Sequence, residues 1–276
     1  DDLSHAAAQY NADLDARRYH IYVCGGAGCV SSGCKDVKNA VTEAVKEYGL
    51  ENSVKIIETG CIGTCAVGPV MLIEPDDVFY TKLDPAKAHE VIKAHLTQGR
   101  VIEEYTFFDR SLGKYVPKMS DIGFFARQTK IVLRNCGSME YSDINAYIAR
   151  DGYKAAYKVF TSMSQQDTVD EVKASGLMGR GGAGFPTGLK WEAGMKQQSD
   201  EKYYVCNADE GDPGAFMDRS VIEGDPHSVI EGMMIGGFAI GAHQGYVYIR
   251  AEYPLAIERL EGALSQARDQ GLLGDD

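Results

Sequence analysis

The chain has 276 residues, of which 44% are hydrophobic and 25% charged, so it can bury at least one large core and does not belong to the disordered class. Acidic residues outnumber basic ones by 40 to 28, which gives a formal net charge of -12. A surface for nucleic acid or for an anionic membrane is therefore not expected. No apolar stretch approaches the ~18 residues that a membrane-spanning helix needs. The length predicts about two domains.

The cysteine content indicates a reducing compartment. Seven cysteines are an odd number, and no export signal opens the sequence, so we expect ligands or buried thiols of a cytoplasmic protein rather than a disulfide framework. The first residue is Asp1 rather than methionine, which suggests that the true start is missing.

The first hundred residues are predicted to form one helix and a small α/β domain. Apolar residues at helical spacing within residues 1–19 predict an amphipathic helix that acts as a docking arm. Residues 20–99 follow the order strand, helix, strand, strand, strand, helix. The strands are predicted at 20–24, 54–58, 70–73 and 78–83, and the helices at 35–48 and 85–98.

The rest of the chain is predicted to form a connector and a second α/β domain. Residues 100–129 have poor periodicity but contain four phenylalanines, so they form either a connector that packs through its aromatic rings or an exposed linker. In residues 130–276 strands alternate with helices, which indicates a mostly parallel sheet. The strands are predicted at 130–134, 203–206 and 245–250, and the helices at 143–149, 153–160, 169–174, 225–242 and 254–270. A further strand is expected after residue 276, so this domain is predicted to be incomplete.

Four cysteines form two closely spaced pairs. Four residues separate Cys24 from Cys29, three separate Cys61 from Cys65, and 31 lie between the pairs. Each pair follows a predicted strand, so the two loops can meet at one end of one sheet. Four converging thiolates require a positive metal centre, because uncompensated anions repel one another. Nearby glycines let backbone N–H groups approach cluster sulfurs; they are Gly25, Gly26, Gly28, Gly60 and Gly63.

The spacing favours an iron-sulfur cluster, with zinc as the alternative. Structural zinc usually sits in knuckles with two residues between cysteines, whereas wider loops suit a cluster of two irons and two sulfides. The sequences CGGAGC and CIGTC on this strand order resemble the thioredoxin-like 2Fe-2S ferredoxins over residues 20–98. That resemblance implies that Cys24, Cys29, Cys61 and Cys65 are the ligands. Cys34 departs from the pattern and is predicted to be a packed thiol at the start of a helix.

A glycine-rich segment, GRGGAGFPTGLKW at residues 179–191, suggests a site for a flat or anionic ligand. The usual dinucleotide fingerprint requires a strand directly before the loop, and the preceding VDEVKASG is helix-like, so an ordinary Rossmann loop is not expected. Glycines without Cβ let a planar ring or a phosphate lie against the backbone, while Arg180 and Lys190 supply cations for phosphate oxygens.

An acidic segment, CNADEGDPGAF at residues 206–216, follows a predicted strand. Ionised carboxylates only accept hydrogen bonds, so Asp209, Glu210 and Asp212 suit hydroxyl or ring N–H donors rather than phosphate. A flavin with its ribityl chain and the ribose of a nicotinamide nucleotide offer such donors. A solvated acidic turn is the alternative, which the neighbouring glycine loop disfavours.

These two segments, with DRSVIEGDPHSVIEGMMIGGFAIGA and YVYIRAEYP, resemble the NADH-binding flavoprotein subunit of complex I and its relatives over residues 130–276. The resemblance implies a Rossmann-like domain that binds FMN and NAD(H), with Phe185 and Asp212 near the nicotinamide nucleotide. It also implies a 4Fe-4S cluster in a later segment outside this sequence. The implied FMN contacts are Gly179, Arg180, Gly181, Gly182, Lys190, Asn207, Asp209 and Glu210.

One chain with both domains resembles the diaphorase subunit of NAD-linked, often electron-bifurcating, hydrogenases and formate dehydrogenases. The implied function is electron transfer between NAD(H) and iron-sulfur centres of a multisubunit oxidoreductase, with other iron-sulfur subunits and a catalytic hydrogenase or formate dehydrogenase subunit as partners. No side chain is expected to act as a catalytic nucleophile or base. The alternative is a non-enzymatic iron-sulfur module that senses oxidation or binds a partner.

Overall fold

The computed structural model describes residues 2–274, which form two packed α/β units. The first unit has a four-stranded sheet in the order β2-β1-β3-β4. Only β1 and β2 are parallel; β3 and β4 run antiparallel to their neighbours. Its elements are β1 (Tyr19–Cys24), α2 (Ala27–Ser31), α3 (Cys34–Glu47), β2 (Val54–Thr59), β3 (Met71–Glu74), β4 (Val78–Tyr80) and α4 (Pro85–Val91), preceded by α1 (Asp2–Asp15). The element order predicted for residues 20–99 is found, with one addition: the short helix α2 lies in the loop expected between β1 and α3.

The parallel pairing of β1 with β2 brings the two cysteine loops together. Cys24, the last residue of β1, lies opposite Thr59, the last residue of β2. Because parallel strands end at the same edge of a sheet, both loops leave the sheet side by side. Helix α3 covers one face of this sheet with a stripe of small and β-branched residues; its buried members are Val37, Ala40, Val41, Ala44 and Val45.

Helix α4 shows how local sequence sets an element. Asp84 accepts a hydrogen bond from the Lys87 amide at 2.9 Å and Pro85 is the first helical residue, so the start matches the prediction. The helix then widens into a π-helical turn over Ile92–Thr97, and Gly99 follows in a left-handed conformation.

The connector packs against the first unit. It contains the hairpin β5 (Phe107–Asp109) and β6 (Lys114–Val116) and the short helix α5 (Gly123–Ala126). The Phe79 amide donates to the carbonyl of Pro117 at 2.9 Å, and the rings of Phe79 and Phe125 meet edge to face at 5.4 Å. Of the four phenylalanines, Phe108 and Phe124 stay exposed.

The second unit pairs two parallel strands through helices. Strand β7 (Tyr203–Ala208) lies beside β8 (Gln244–Ile249), in keeping with the predicted parallel α/β class. The helices are α6 (Ile144–Ile148), α7 (Lys154–Ser162), α8 (Gln165–Ala174), α9 (Thr187–Met195), α10 (Met217–Gly224), α11 (Pro226–Ile240) and α12 (Pro254–Asp269). The strand predicted at residues 130–134 is wrong: these residues form turns, with Ile131 72% exposed.

The N-terminal helix belongs to the core of the second unit, although the first unit follows it directly in sequence. Leu3, Ala6 and Tyr10 of α1 pack against the buried cluster that includes Ile144 and Tyr147 of α6. The helix therefore docks as predicted, and the surface it docks on is the second unit.

A buried polar network lies in the second unit. The carboxylate of Glu231 accepts the Tyr147 hydroxyl at 2.5 Å and the amides of Tyr153 and Ala156 at 2.9 and 3.0 Å. His227 is fully buried, and its Nδ1 lies 2.8 Å from the Tyr153 hydroxyl. Among residues 2–274, no helix has the length and apolar character to span a membrane.

Candidate cluster and flavin sites

The four predicted ligand cysteines lie together at one edge of the first sheet. Cys24 ends β1 and Cys29 lies in α2, and both side chains are buried. Cys61 and Cys65 follow β2 in the second loop, with their sulfurs 3.7 Å apart. Cys61 is half-buried and Cys65 is exposed, so one side of the set of four cysteines faces solvent.

Glycines make this convergence possible, because a Cβ at their positions would collide with the cysteines. A Cβ on Gly26 would lie 2.7 Å from the Cβ of Cys61, and one on Gly28 would lie 3.0 Å from the Cys65 sulfur. Gly68, which no sequence pattern singles out, would place a Cβ 2.9 Å from the Cys29 sulfur. The space beside the sulfurs is thus kept open by missing side chains, which suits a bulky inorganic centre.

The thiols perturb one another, which shows how close they are. The pKa of Cys24 is raised to about 12, first by its hydrogen bond with the Cys29 thiol. The pKa of Cys61 is also raised, first by its hydrogen bond with Cys24 and then by burial. Positive charge is therefore needed before these sulfurs can bind as thiolates.

The residues present fit a 2Fe-2S centre. Such a centre takes two thiolate ligands on each iron, and the four cysteines that converge here supply that number.

The remaining thiols are packed. Cys34 starts α3 and is buried, and burial raises its pKa to about 11. Cys136 is also buried, and burial raises its pKa to about 12. Cys206 lies half-buried in β7. The position of Cys34 agrees with the packed role predicted for it.

The glycine-rich loop follows helix α8, not a strand, and is closed by its own backbone. The Gly179 amide donates to the Phe185 carbonyl at 2.8 Å, and the Thr187 amide donates to the Leu177 carbonyl at 2.9 Å. Gly182 at the tip has φ +103, which glycine adopts without strain. A Cβ on Gly181 or Gly182 would meet nothing within 4 Å, so the tip borders open space.

A cavity of about 610 Å³ lies beside this loop, within the range that protein-bound cofactors occupy. Gly179, Gly181, Phe185 and Lys190 line it, which brings four predicted site residues together. Its other walls are mainly aromatic and aliphatic side chains. They include Trp191, the last residue of the glycine-rich segment, and Tyr203, Tyr204 and Val205, which no quoted motif contains. A planar ring against apolar walls with a lysine at the rim fits this cavity. Arg180 and Gly182 lie in the same loop but outside the lining.

The acidic segment begins where β7 ends. Asn207 is exposed near the end of the strand, its Oδ1 accepts the Asp209 amide at 3.1 Å, and Asp209 and Asp212 are exposed. A strand rises about 3.3 Å per residue, so Asp209 lies roughly 13 Å along the chain from Val205 in the cavity wall. An extended ligand that starts in the cavity can therefore reach these side chains by lying along β7.

Glu210 differs from its neighbours because its carboxylate caps a helix. It is only 8% exposed and accepts hydrogen bonds from the amides of Met217 and Asp218 at 2.6 and 3.2 Å, at the start of α10. A carboxylate there also offsets the positive end of the helix. A direct contact of this side chain with a flavin stays a prediction.

Helix α10 connects the acidic segment to the second cysteine loop. Its first turn is held by Glu210, and its last residue, Gly224, touches the second cysteine loop: a Cβ on Gly60 would lie 2.3 Å from the Gly224 Cα. Thr59 also forms a β-bridge with Glu140 of the second unit. Gly60, which we expected to serve the sulfurs, instead permits a backbone contact between the units. No sequence signal marks that contact, because its partner lies far along the chain.

The family comparisons agree with this division. Residues 8–96 match the family described as thioredoxin-like [2Fe-2S] ferredoxin, and residues 172–274 match the Nuo51 FMN-binding domain. Both family resemblances predicted from the sequence are thereby confirmed.

Three curated relatives are similar to the chain. The HndC subunit of the NADP-reducing hydrogenase of Solidesulfovibrio fructosivorans is 59% identical over 54% of this chain and 30% of its own length. A subunit of the NADH-quinone oxidoreductase of Rhizobium meliloti is 46% identical over 52% of this chain and 34% of its own length. The alpha subunit of the NAD-reducing hydrogenase HoxS of Cupriavidus necator is 33% identical over 99% of this chain and 44% of its own length. The chain thus spans less than half of each relative. It carries a thioredoxin-like [2Fe-2S] ferredoxin domain followed by an FMN-binding domain of the Nuo51 family.

Proposed function

We propose that this chain is the diaphorase part of a multisubunit oxidoreductase, in which electrons pass between NAD(H) and iron-sulfur centres through FMN. The observation that carries the proposal is the joining of a four-cysteine site and a glycine-lined cavity in one chain, with backbone contact between their units. FMN, when bound, exchanges two electrons with a nicotinamide and single electrons with a cluster. The residues of the chain bind and orient these groups.

In this proposal Cys24, Cys29, Cys61 and Cys65 hold the 2Fe-2S cluster. Two of them are buried and one is exposed, so they would hold the cluster near the protein surface. Backbone amides freed by the surrounding glycines can donate to cluster sulfurs, which stabilises added negative charge.

The cavity beside the glycine loop holds the flavin. Lys190 at its rim would pair with the phosphate, and the apolar walls that include Trp191 and the β7 side chains would receive the ring. Gly179, Arg180, Gly181 and Gly182 contribute backbone and charge. The exposed acceptors Asn207, Asp209 and Asp212 suit hydroxyl donors of the ribityl chain and of NAD(H), with Phe185 next to the nicotinamide.

The wider context belongs to the same proposal. The similar proteins are subunits of hydrogenases and of a quinone oxidoreductase. We therefore propose other iron-sulfur subunits and a hydrogenase or formate dehydrogenase subunit as partners, with a 4Fe-4S cluster in family segments outside these residues. The seven free thiols support a reducing compartment such as the cytoplasm.

The cluster assignment is tested with Cys61→Ala, which removes the donor atom. The variant, reconstituted with iron and sulfide, is expected to lose the 2Fe-2S electron paramagnetic resonance signal and to retain FMN, because the flavin cavity lies in the other unit. Cys34→Ala is the matched control and is expected to keep the signal. A full 2Fe-2S signal in Cys61→Ala contradicts the ligand assignment, and zinc without acid-labile sulfide in the unmodified protein would establish the zinc alternative.

The flavin assignment is tested with Lys190→Ala. Loss of the cation at the cavity rim is expected to weaken FMN binding by roughly 10-fold or more, since a hydrogen bond to a charged group contributes about 1.5–3 kcal/mol. Flavin fluorescence measures the affinity. Lys196→Ala, at the end of the same helix, removes only an exposed ion pair with Glu192 and is the control. Equal FMN affinity in both variants contradicts the proposed site, and an unmodified protein that binds no flavin favours the redox-sensing alternative.

A further inference from the structure

The second unit reaches the first cysteine loop through one buried arginine. Arg259 lies on α12 and is 6% exposed. Its Nη2 donates to the carbonyl of Gly25 at 2.6 Å, and its Nη1 donates to the carbonyl of Glu223 at 2.7 Å. Gly25 directly follows Cys24, so a single guanidinium links this loop to the last turn of α10. Planar guanidinium groups suit such a fork because their donors are held in a fixed geometry.

The charge of Arg259 is matched by a residue of the first unit. Its Nη2 lies 3.6 Å from Oε1 of Glu58, near the end of β2. Glu58 also accepts the Lys38 ammonium at 2.7 Å and the Tyr141 hydroxyl at 3.1 Å. The ring of Tyr141 lies against the guanidinium, 3.7 Å from Cζ to the ring centroid. A buried cation that keeps both an anion and an aromatic face is held in one position.

The contact with Arg259 explains why position 25 is a glycine. A Cβ on Gly25 would lie 2.7 Å from Oε1 of Glu58 and 3.1 Å from Nη2 of Arg259. Any larger residue at position 25 would therefore displace the ion pair. The absence of a side chain at Gly25 serves the contact between the units as well as the loop itself.

A second hydrogen bond holds the same loop, and here the loop is the donor. Oε2 of Glu223 accepts the backbone N–H of Ala27 at 3.1 Å. The Gly25 carbonyl is thus bound by a donor and the Ala27 amide by an acceptor, both from the second unit. Two anchors two residues apart fix the rotation of the loop as well as its position.

We propose that Arg259 is a positioning residue that fixes the orientation of the Cys24–Cys29 loop against the flavin-binding unit and places a cation against the residue that follows Cys24. The inference deepens the proposed function, and it rests on that function for the presence of the cluster. A fixed cation stabilises the reduced, more negative form of a neighbouring centre, so its removal lowers the reduction potential.

The test uses Arg259→Met and Arg259→Lys in the full protein reconstituted with iron and sulfide. Arg268→Met is the matched control, because Arg268 is exposed on the same helix. Hydrogen exchange of the amides at residues 26–30 is expected to quicken in Arg259→Met by about 10-fold or more, equivalent to ~1.4 kcal/mol of local opening. In a titration with dithionite followed by electron paramagnetic resonance, the cluster potential is expected to fall.

The lysine variant separates charge from geometry. Arg259→Lys keeps the cation but loses the fork, so faster exchange is expected with a smaller fall in potential. If Arg259→Met does not fold, Arg259→Lys carries the test alone. Exchange and potential equal to those of Arg268→Met in either folded variant overturn the proposal. If the unmodified protein takes up no cluster, the proposed function is contradicted. The arginine contact is then still tested by hydrogen exchange in the iron-free protein.

Discussion

Because Gly60 contacts Gly224, the substitution Gly60→Ala is expected to destabilise the protein. The added methyl carbon would lie 2.3 Å from the Gly224 Cα, whereas carbon atoms in contact are about 3.5–4.0 Å apart. The backbone segments at residues 60 and 224 must therefore separate by roughly 1 Å or more. No flexible side chain at this contact can move aside instead. Gly60 does not have a left-handed backbone, so alanine itself is allowed and the cost comes from the contact.

Overpacking of this kind costs about 1–3 kcal/mol, and we expect Gly60→Ala to lower the free energy of unfolding by that amount. Urea denaturation followed by circular dichroism measures it. The control is Gly232→Ala on an exposed face of α11, where a Cβ meets nothing within 4 Å. Alanine in a helix interior stabilises by roughly 0.5–1 kcal/mol there. If Gly60→Ala unfolds at the same urea concentration as the unmodified protein, the backbone contact described between the units is wrong.

Two further predictions concern the second unit. Burial lowers the pKa of His227 to about 4 from its usual 6.5, so below pH 6.5 the unfolded chain takes up a proton that the folded chain does not. As the pH falls from 6.5 to 4, this residue is expected to lower the free energy of unfolding by about 3 kcal/mol. A ring that titrates near 6.5 by nuclear magnetic resonance in the folded protein would contradict this prediction. Ser164→Ala removes one half of the capping box that Ser164 forms with Asp167 at the start of α8, and a fall of ~1 kcal/mol in the free energy of unfolding is expected; unchanged stability would show that the cap contributes nothing.

The first unit could be predicted from the sequence because its signals are local. Alternating apolar residues mark β1 and β2, and Asp84 with Pro85 marks the start of α4. The cysteine spacing then follows from parallel strands that end at one edge. Each of these inferences uses residues within a few positions of one another.

The signals that failed are those that depend on distant partners. Residues 130–134 have the apolar content of a strand, but no neighbouring strand pairs with them and Ile131 stays exposed. Helix α10 lacks a local start signal, because its first amides are satisfied by Glu210, seven residues before Met217, while Phe216 precedes the helix in a left-handed conformation. Arg259 looks like an ordinary helical arginine until the fold brings Gly25 to it.

The position of α1 affects how this protein is made. Leu3 and Leu272 pack on the same buried cluster, although they lie near opposite ends of the described chain. During synthesis the ferredoxin domain can therefore fold first, while the helix that precedes it stays unpacked until α6 and the later helices of the second unit have been made. Closing such a long loop is slow, and the exposed apolar face of α1 is available to chaperones until it closes.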